Sequence, residues 1–164
     1  ISLWEVAAIS GASTAAIGLL NAFSTVAGKA ITMSGVSNFL SNLITSNISS
    51  RAVFLLMINI LFLFLGMFLD INAAVLIMTP LLLPVAKTYG ITAVHFGAIL
   101  LVNMSVGFMT PPFALGTFVG TKITGAGYGE TVKESIPFMI VGLVAIIITT
   151  CFPEYVMFFV NILS

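Results

Sequence analysis

Apolar and polar positions along this chain are sorted into long blocks. An apolar stretch from Trp4 to Gly28, flanked by Glu5 and Lys29, holds about 25 residues, which at about 1.5 Å each cross a hydrocarbon core of about 30 Å. A transmembrane helix is predicted over 1–30. Its small residues Gly11, Ala12, Ser13, Ala15, Ala16 and Gly18 suit close helix–helix contact. From Ser34 to Arg51 the pattern changes: Val36, Phe39, Leu40, Leu43, Ile44 and Ile48 recur at spacings of three and four among Ser and Asn. That is one apolar stripe on a polar helix, predicting an amphipathic interfacial segment over 31–51.

Between Arg51 and Lys87 the only formal charge is Asp70. The stretch is too long for one crossing and lacks the polar loop that separates two full crossings. Its two arms, each about 16–18 residues or about 24–27 Å of helix, predict a re-entrant helical hairpin over 52–87, with Asp70 at its tip. Over 92–122 a further helix is predicted, broken at Pro111-Pro112, because proline lacks an amide proton and clashes with the preceding turn. Thr92 is placed to cap its start. A Gly-rich polar turn follows, then a last transmembrane helix over 135–160 with an aromatic interfacial end.

Composition turns this pattern into a class. Of 164 residues 60% are hydrophobic and 6% charged, with mean hydropathy +1.24, against about a quarter charged in soluble domains. The reading is an all-α integral membrane protein. Five basic and five acidic residues cancel, leaving no basic field for nucleic acid. The acids stand apart at 5, 70, 130, 134 and 154, and no Ser/His/Asp set or metal-spaced His/Cys cluster occurs, so an enzyme is not expected. The Gly125, Gly127, Gly129 run lacks the Gly-Lys-Ser/Thr of a phosphate loop. Cys151 reads as a small hydrophobe and His95 as a hydrogen-bonded anchor. The chain opens without Met, at the edge of a hydrophobic segment, and is read as part of something longer.

Three features converge at membrane depth: Asp70 at the hairpin tip, the Thr110-Pro111-Pro112 break, and Asn103 about two turns before it. An ionisable group at the bilayer centre costs at least about 2.5–3.5 kcal/mol on insertion scales and is a functional candidate by default. Broken helices hold anions at half-helix amino ends and cations at freed carbonyls. The carbonyls of Gly107, Phe108 and Met109, with the Thr110 hydroxyl, suit a sodium ion, and Asp70 or Asn72 would complete the shell. Two blander readings stand beside this one: Asp70 as a cap on the arm starting at Ile71, and the double proline as a packing kink.

GMFLDINAAVLIMTPLLLPVAKTYGITAVHFG (66–97) and VNMSVGFMTPPFALGTFV (102–119) resemble the C-terminal part of the large membrane (M) subunit of tripartite ATP-independent periplasmic (TRAP) transporters. The G-M-x-x-D turn, the T-P-x-x-x-P-V arm, the V-H-F-G entry and the G-x-x-T-P-P break come in family order. Pro112 is followed by Phe113-Ala114, where the family commonly has Val-Gly.

The resemblance implies the second of two inverted repeats of an elevator-type secondary transporter. It implies a multi-pass protein of the bacterial inner membrane, working with a small membrane (Q) subunit, a periplasmic substrate-binding protein and the first-repeat half. It implies symport of a small organic acid, a dicarboxylate or sugar acid, driven by sodium, with no cofactor. Carried over by residue, Gly66, Asp70, Gly107, Thr110, Pro111 and Pro112 form the sodium-site neighbourhood, to which the helix-break reading adds the Phe108 and Met109 carbonyls. Asn72, Asn103, Thr110 and Pro112 are expected on the substrate side. The alternatives are a binding-protein-independent organic-anion carrier of similar architecture and a non-transporting membrane scaffold.

Overall fold

The computed structural model describes residues 3–69, 71–111 and 115–163. Its elements are α1 (Leu3–Met33), α2 (Val36–Asn47), α3 (Arg51–Phe68), α4 (Ile71–Thr88), α5 (Ala93–Met109), α6 (Leu115–Thr124), α7 (Tyr128–Cys151) and α8 (Pro153–Leu163), with no strand among the described residues. Helices α3, α4 and α7 are long and apolar enough to cross a membrane. The architecture is that of an all-α membrane protein.

Helix α5 is the centre. Its buried residues, His95, Phe96, Ile99, Leu100, Asn103, Met104, Val106 and Gly107, cover about half its circumference, and it packs against α3, α7 and α4. Helix α3 meets it along one stripe of four-residue spacing, Phe54, Ile58, Phe62 and Gly66, all buried. Phe62 sets its ring edge against Phe96, with centroids 5.7 Å apart.

Pairings fix the directions. Asn59 meets Asn103, and seven residues later Gly66 meets the Met104–Gly107 turn, so α3 and α5 run the same way. Phe54, in the first turn of α3, stacks on Tyr89 just beyond α4, with centroids 4.4 Å apart, so α4 returns to the level where α3 began. The Tyr89 hydroxyl then donates to the Ile48 carbonyl, tying the end of α2 to the same corner. His95 lies beside Thr149 and Val106 beside Gly142, so α7 runs back along α5.

The corner between α4 and α5 follows from Gly90. Ile91 N–H bonds the Ala86 carbonyl at 3.1 Å and Gly90 N–H bonds the Lys87 carbonyl at 3.0 Å, while Gly90 takes φ +72. This paired closure needs a left-handed residue, which glycine supplies without strain. Ile91 is buried directly behind it, and Thr92 Oγ1 accepts from His95 N–H at 3.3 Å as the cap of α5.

The end of the chain is organised differently from the pattern read over 123–160. The irregular turn covers only 125–127, and α7 starts at Tyr128 rather than near 135, its first turn closed by Thr131 N–H on the Gly127 carbonyl at 3.0 Å. Glu130 stands in that first turn, where a carboxylate complements the helix amino end. The final apolar stretch is split: Pro153 stops α7 at Cys151 and opens α8.

Pro153 also explains His95. In a continuous helix the Thr149 carbonyl would bond the amide four residues on, and residue 153 has none. His95 Nε2 lies 2.8 Å from that carbonyl and is the donor, since a carbonyl only accepts. His95 and Thr149 are both buried, so the bond closes a polar group that no water would reach.

A double-mutant cycle tests this. His95→Phe is expected to lower stability in detergent by about 1–2 kcal/mol. In a Pro153→Ala background, where the carbonyl gains an amide, the same change is expected to cost about 1 kcal/mol less. Equal costs in both backgrounds would refute the link.

Candidate functional site

The site begins with two glycines. A Cβ on Gly107 would stand 2.5 Å from the Leu63 carbonyl oxygen and 2.9 Å from the Gly66 Cα; one on Gly66 would stand 2.9 Å from the Met104 carbonyl oxygen. The obstacles are backbone, so no rotamer relieves them. Main chains of α3 and α5 touch here, as small residues permit at membrane helix crossings.

This crossing sets the level of two helix ends. Leu69, the C-cap of α3, is three residues beyond Gly66, and Thr110, the C-cap of α5, is three beyond Gly107, each about 4.5 Å further along its axis. Because the helices run parallel, both chains leave their helices on the same side of the contact. Leu69 is extended at φ −104, ψ 147 and Thr110 at φ −90, ψ 130. Asp70 and Pro112 lie outside the described residues.

Around the break the polar groups are partly used. Thr110 N–H bonds the Gly107 carbonyl at 2.9 Å, a shortened turn that supplies the bond Pro111 lacks an amide to make. Thr110 Oγ1 donates to the Val106 carbonyl at 2.7 Å, leaving its oxygen lone pairs for another partner. Of the three carbonyls picked out from sequence, Gly107 therefore already accepts one bond. Pro112 offers no amide to the Phe108 carbonyl, which lies 3.4 Å from the Cβ position of Gly116 in the first turn of α6. The α5 carbonyl end and the α6 amino end thus meet, the former with partial negative and the latter with partial positive charge.

The other expected residues are distributed as follows. Met109 is exposed and Pro111 half-buried at the break, and Asn72 is exposed in the first turn of α4, beside the tip. Asn103 is buried below them, engaged with α3. Its Nδ2 donates to Asn59 Oδ1 and to the Ile99 carbonyl, both at 2.7 Å, and Thr150 Oγ1 donates to the same Asn59 oxygen at 3.1 Å. Asn103 Oδ1 is buried and has no partner among the described residues. Asn59, Thr150 and Gly116 were not picked out from sequence. Asn59 is the only amide in the 52–69 arm, a signal that an apolar arm carries for a reason. Gly116 opens a Gly-x-x-x-Gly spacing with Gly120.

The description DctM: Tripartite ATP-independent periplasmic transporter, DctM component, matches residues 2–155. The chain belongs to that family. It is a family of transporters, not of enzymes. Over 158 residues, 96% of the chain, it is 32% identical to the isethionate TRAP transporter permease protein DctMQ of Oleidesulfovibrio alaskensis. Over 101 residues, 62% of the chain, it is 40% identical to the C4-dicarboxylate TRAP transporter large permease protein DctM of Pseudomonas aeruginosa. Over 152 residues, 93% of the chain, it is 31% identical to the sialic acid TRAP transporter permease protein SiaT of Haemophilus influenzae. These alignments cover 25%, 24% and 25% of the three relatives, so the chain spans about a quarter of their length. No solved structure matches it.

Gly107→Ala in the full-length transporter is expected to destabilise the α3–α5 crossing by about 1–3 kcal/mol, as overpacking does. Gly97→Ala, where a Cβ meets nothing within 4 Å, is expected to be neutral or to stabilise by up to about 1 kcal/mol. Thermal unfolding in detergent compares the two. An equal effect of both substitutions would show that the glycine contact does not set the crossing.

Proposed function

We propose that the chain is the C-terminal part of the large membrane subunit of a sodium-coupled TRAP transporter. In this reading it forms the second inverted repeat of an elevator-type carrier in the bacterial inner membrane, with α1 as a spanning arm, α2 at the interface and α3–α4 as a re-entrant hairpin. The observation that carries it is the Gly66–Gly107 crossing, which supports a hairpin tip and a helix break working as one site. Oxygens at the α5 end, from the Phe108 and Met109 carbonyls and the Thr110 hydroxyl, are the hard donors a sodium ion takes. Gly66, Gly107 and Pro111 shape the backbone around them, and Asp70 stands one residue beyond Leu69.

Substrate then belongs next to the ion, toward Asn72 and Pro112 and the amino end of α6, with Asn103 supporting from below. The relatives' names specify isethionate, a C4-dicarboxylate and sialic acid. All three are small organic anions, which a helix amino end beside a bound cation favours. Delivery by a periplasmic binding protein and assembly with a small membrane subunit complete the proposal.

Reconstituted full-length subunit with its small partner is expected to take up such an anion only with an inward sodium gradient and the binding protein. Equal uptake without the binding protein would favour an independent carrier, and no uptake with both would favour a scaffold. At the site, Thr110→Val is expected to raise the sodium concentration for half-maximal uptake about tenfold, or about 1.4 kcal/mol, while Thr110→Ser stays near the parent. An unchanged sodium dependence in Thr110→Val would remove Thr110 from the ion's shell.

A further inference from the structure

A second feature lies at the opposite end of the same helices. Between α3 and α7 runs a groove of about 590 Å³, with Arg51, Ala52, Cys151 and Pro153 at one end and Ile60 and Ile146 at the other. The first turn of α3 and the last turn of α7 both line this groove, which climbs along α3 from Arg51 toward the middle of the bundle. From Arg51 to Ile60 is about 14 Å of helix, close to half of a hydrocarbon core of about 30 Å. The groove is one leaflet deep.

Its chemistry is graded along that depth. Leu56, Ile60, Ile146 and Ile147 make apolar walls. Asn59 and Thr150 line the wall between the groove's two ends, where they are bonded within the protein: Asn59 Oδ1 takes the Asn103 and Thr150 donors, and Asn59 Nδ2 donates to the Leu55 carbonyl at 2.6 Å. An apolar occupant therefore displaces no hydrogen bond there. At the mouth Arg51 is exposed and, among the described residues, makes no ion pair; Glu154, in the first turn of α8 at this end, is not joined to it. A guanidinium at the interface above an apolar trough is complementary to a phosphate above an acyl chain.

We infer that this groove binds one anionic phospholipid, with its phosphate on Arg51 and an acyl chain lying between α3 and α7, past the Asn59–Thr150 pair toward Ile60 and Ile146. The site is separate from the hairpin tip and does not depend on what is transported. A seated lipid fills the seam between α3 and α7 at the level where the two helices are otherwise held by Asn59 and Thr150. It would make the fit of α7 against the hairpin sensitive to anionic lipid.

The single cysteine of the chain, Cys151, lines the groove and serves as the reporter. The full-length subunit, with any other cysteines replaced by Ser, is labelled at Cys151 with an environment-sensitive fluorophore. It is placed in vesicles of phosphatidylglycerol and phosphatidylethanolamine, one lipid at a time carrying brominated chains. Brominated phosphatidylglycerol is expected to quench at least threefold more than brominated phosphatidylethanolamine at equal mole fraction. Arg51→Gln is expected to abolish the preference, Arg51→Lys to keep most of it, and Ile147→Trp to lower quenching by both lipids. Equal quenching by the two lipids in the Arg51 protein would overturn the inference, since it would mean ordinary annular contact. Absence of quenching by either would also overturn it, because another protein segment would then cover the groove.

Discussion

The contact of bare backbone between Gly66 and Gly107 is the constraint on which the arrangement turns. Two side-chain-free positions bring α3 and α5 together so closely that a methyl group on Gly107 would stand 2.5 Å from a carbonyl oxygen. In a bilayer, where lipid tails are as apolar as side chains, such close packing supplies attraction that the hydrophobic effect does not. Because α3 and α5 run parallel, one contact sets the height of both helix ends. The turn after α3 and the proline break after α5 are then held at one level by a single crossing.

A second constraint is the closure of backbone polar groups where water is scarce. Each proline at a helix end leaves a carbonyl without its usual amide, and the chain answers locally or across the fold. At Pro111 the answer is local: Thr110 N–H turns onto the Gly107 carbonyl at 2.9 Å. At Pro153 the answer comes from 54 residues away, where His95 Nε2 meets the Thr149 carbonyl at 2.8 Å. An unmet carbonyl in a buried setting costs about 1–3 kcal/mol, so the histidine is held in place by the proline it serves.

The block pattern made much of this legible. The apolar arms on either side of Asp70, the apolar stripe of α2 with Ile44 buried, the Thr92 cap and the interruption at Thr110-Pro111 follow from periodicity and proline chemistry, which are local. The lateral partners were not readable. Nothing within 52–69 says that Asn59 faces Asn103 and Thr150, because those contacts close over 44 and 91 residues. The start of α7 was hidden by its polar composition. Tyr128 to Glu134 looks like a loop, yet Glu130 and the Gly127 carbonyl make it a helix amino end. Asn103 was read for substrate from its place before the break, while the geometry engages its amide nitrogen with α3.

These constraints divide α5 into two ends with different polar habits. Toward its start, His95 is bound to α7, Thr92 caps the first turn, and the Gly90 closure ties the entry to α4. Every one of those groups has a fixed protein partner, which holds this part of the bundle rigid. Toward its end the partners among the described residues thin out: Asn103 Oδ1 has none there, Pro112 brings no amide to the Phe108 carbonyl, and the Thr110 oxygen keeps lone pairs to spare. Groups left open within a hydrocarbon core are stable only if something else fills them, because the bilayer offers no water to do so. A permanently bound partner would be served equally well by the closed geometry seen at the other end. In the proposed reading these oxygens receive the coupling ion, an occupant that comes and goes.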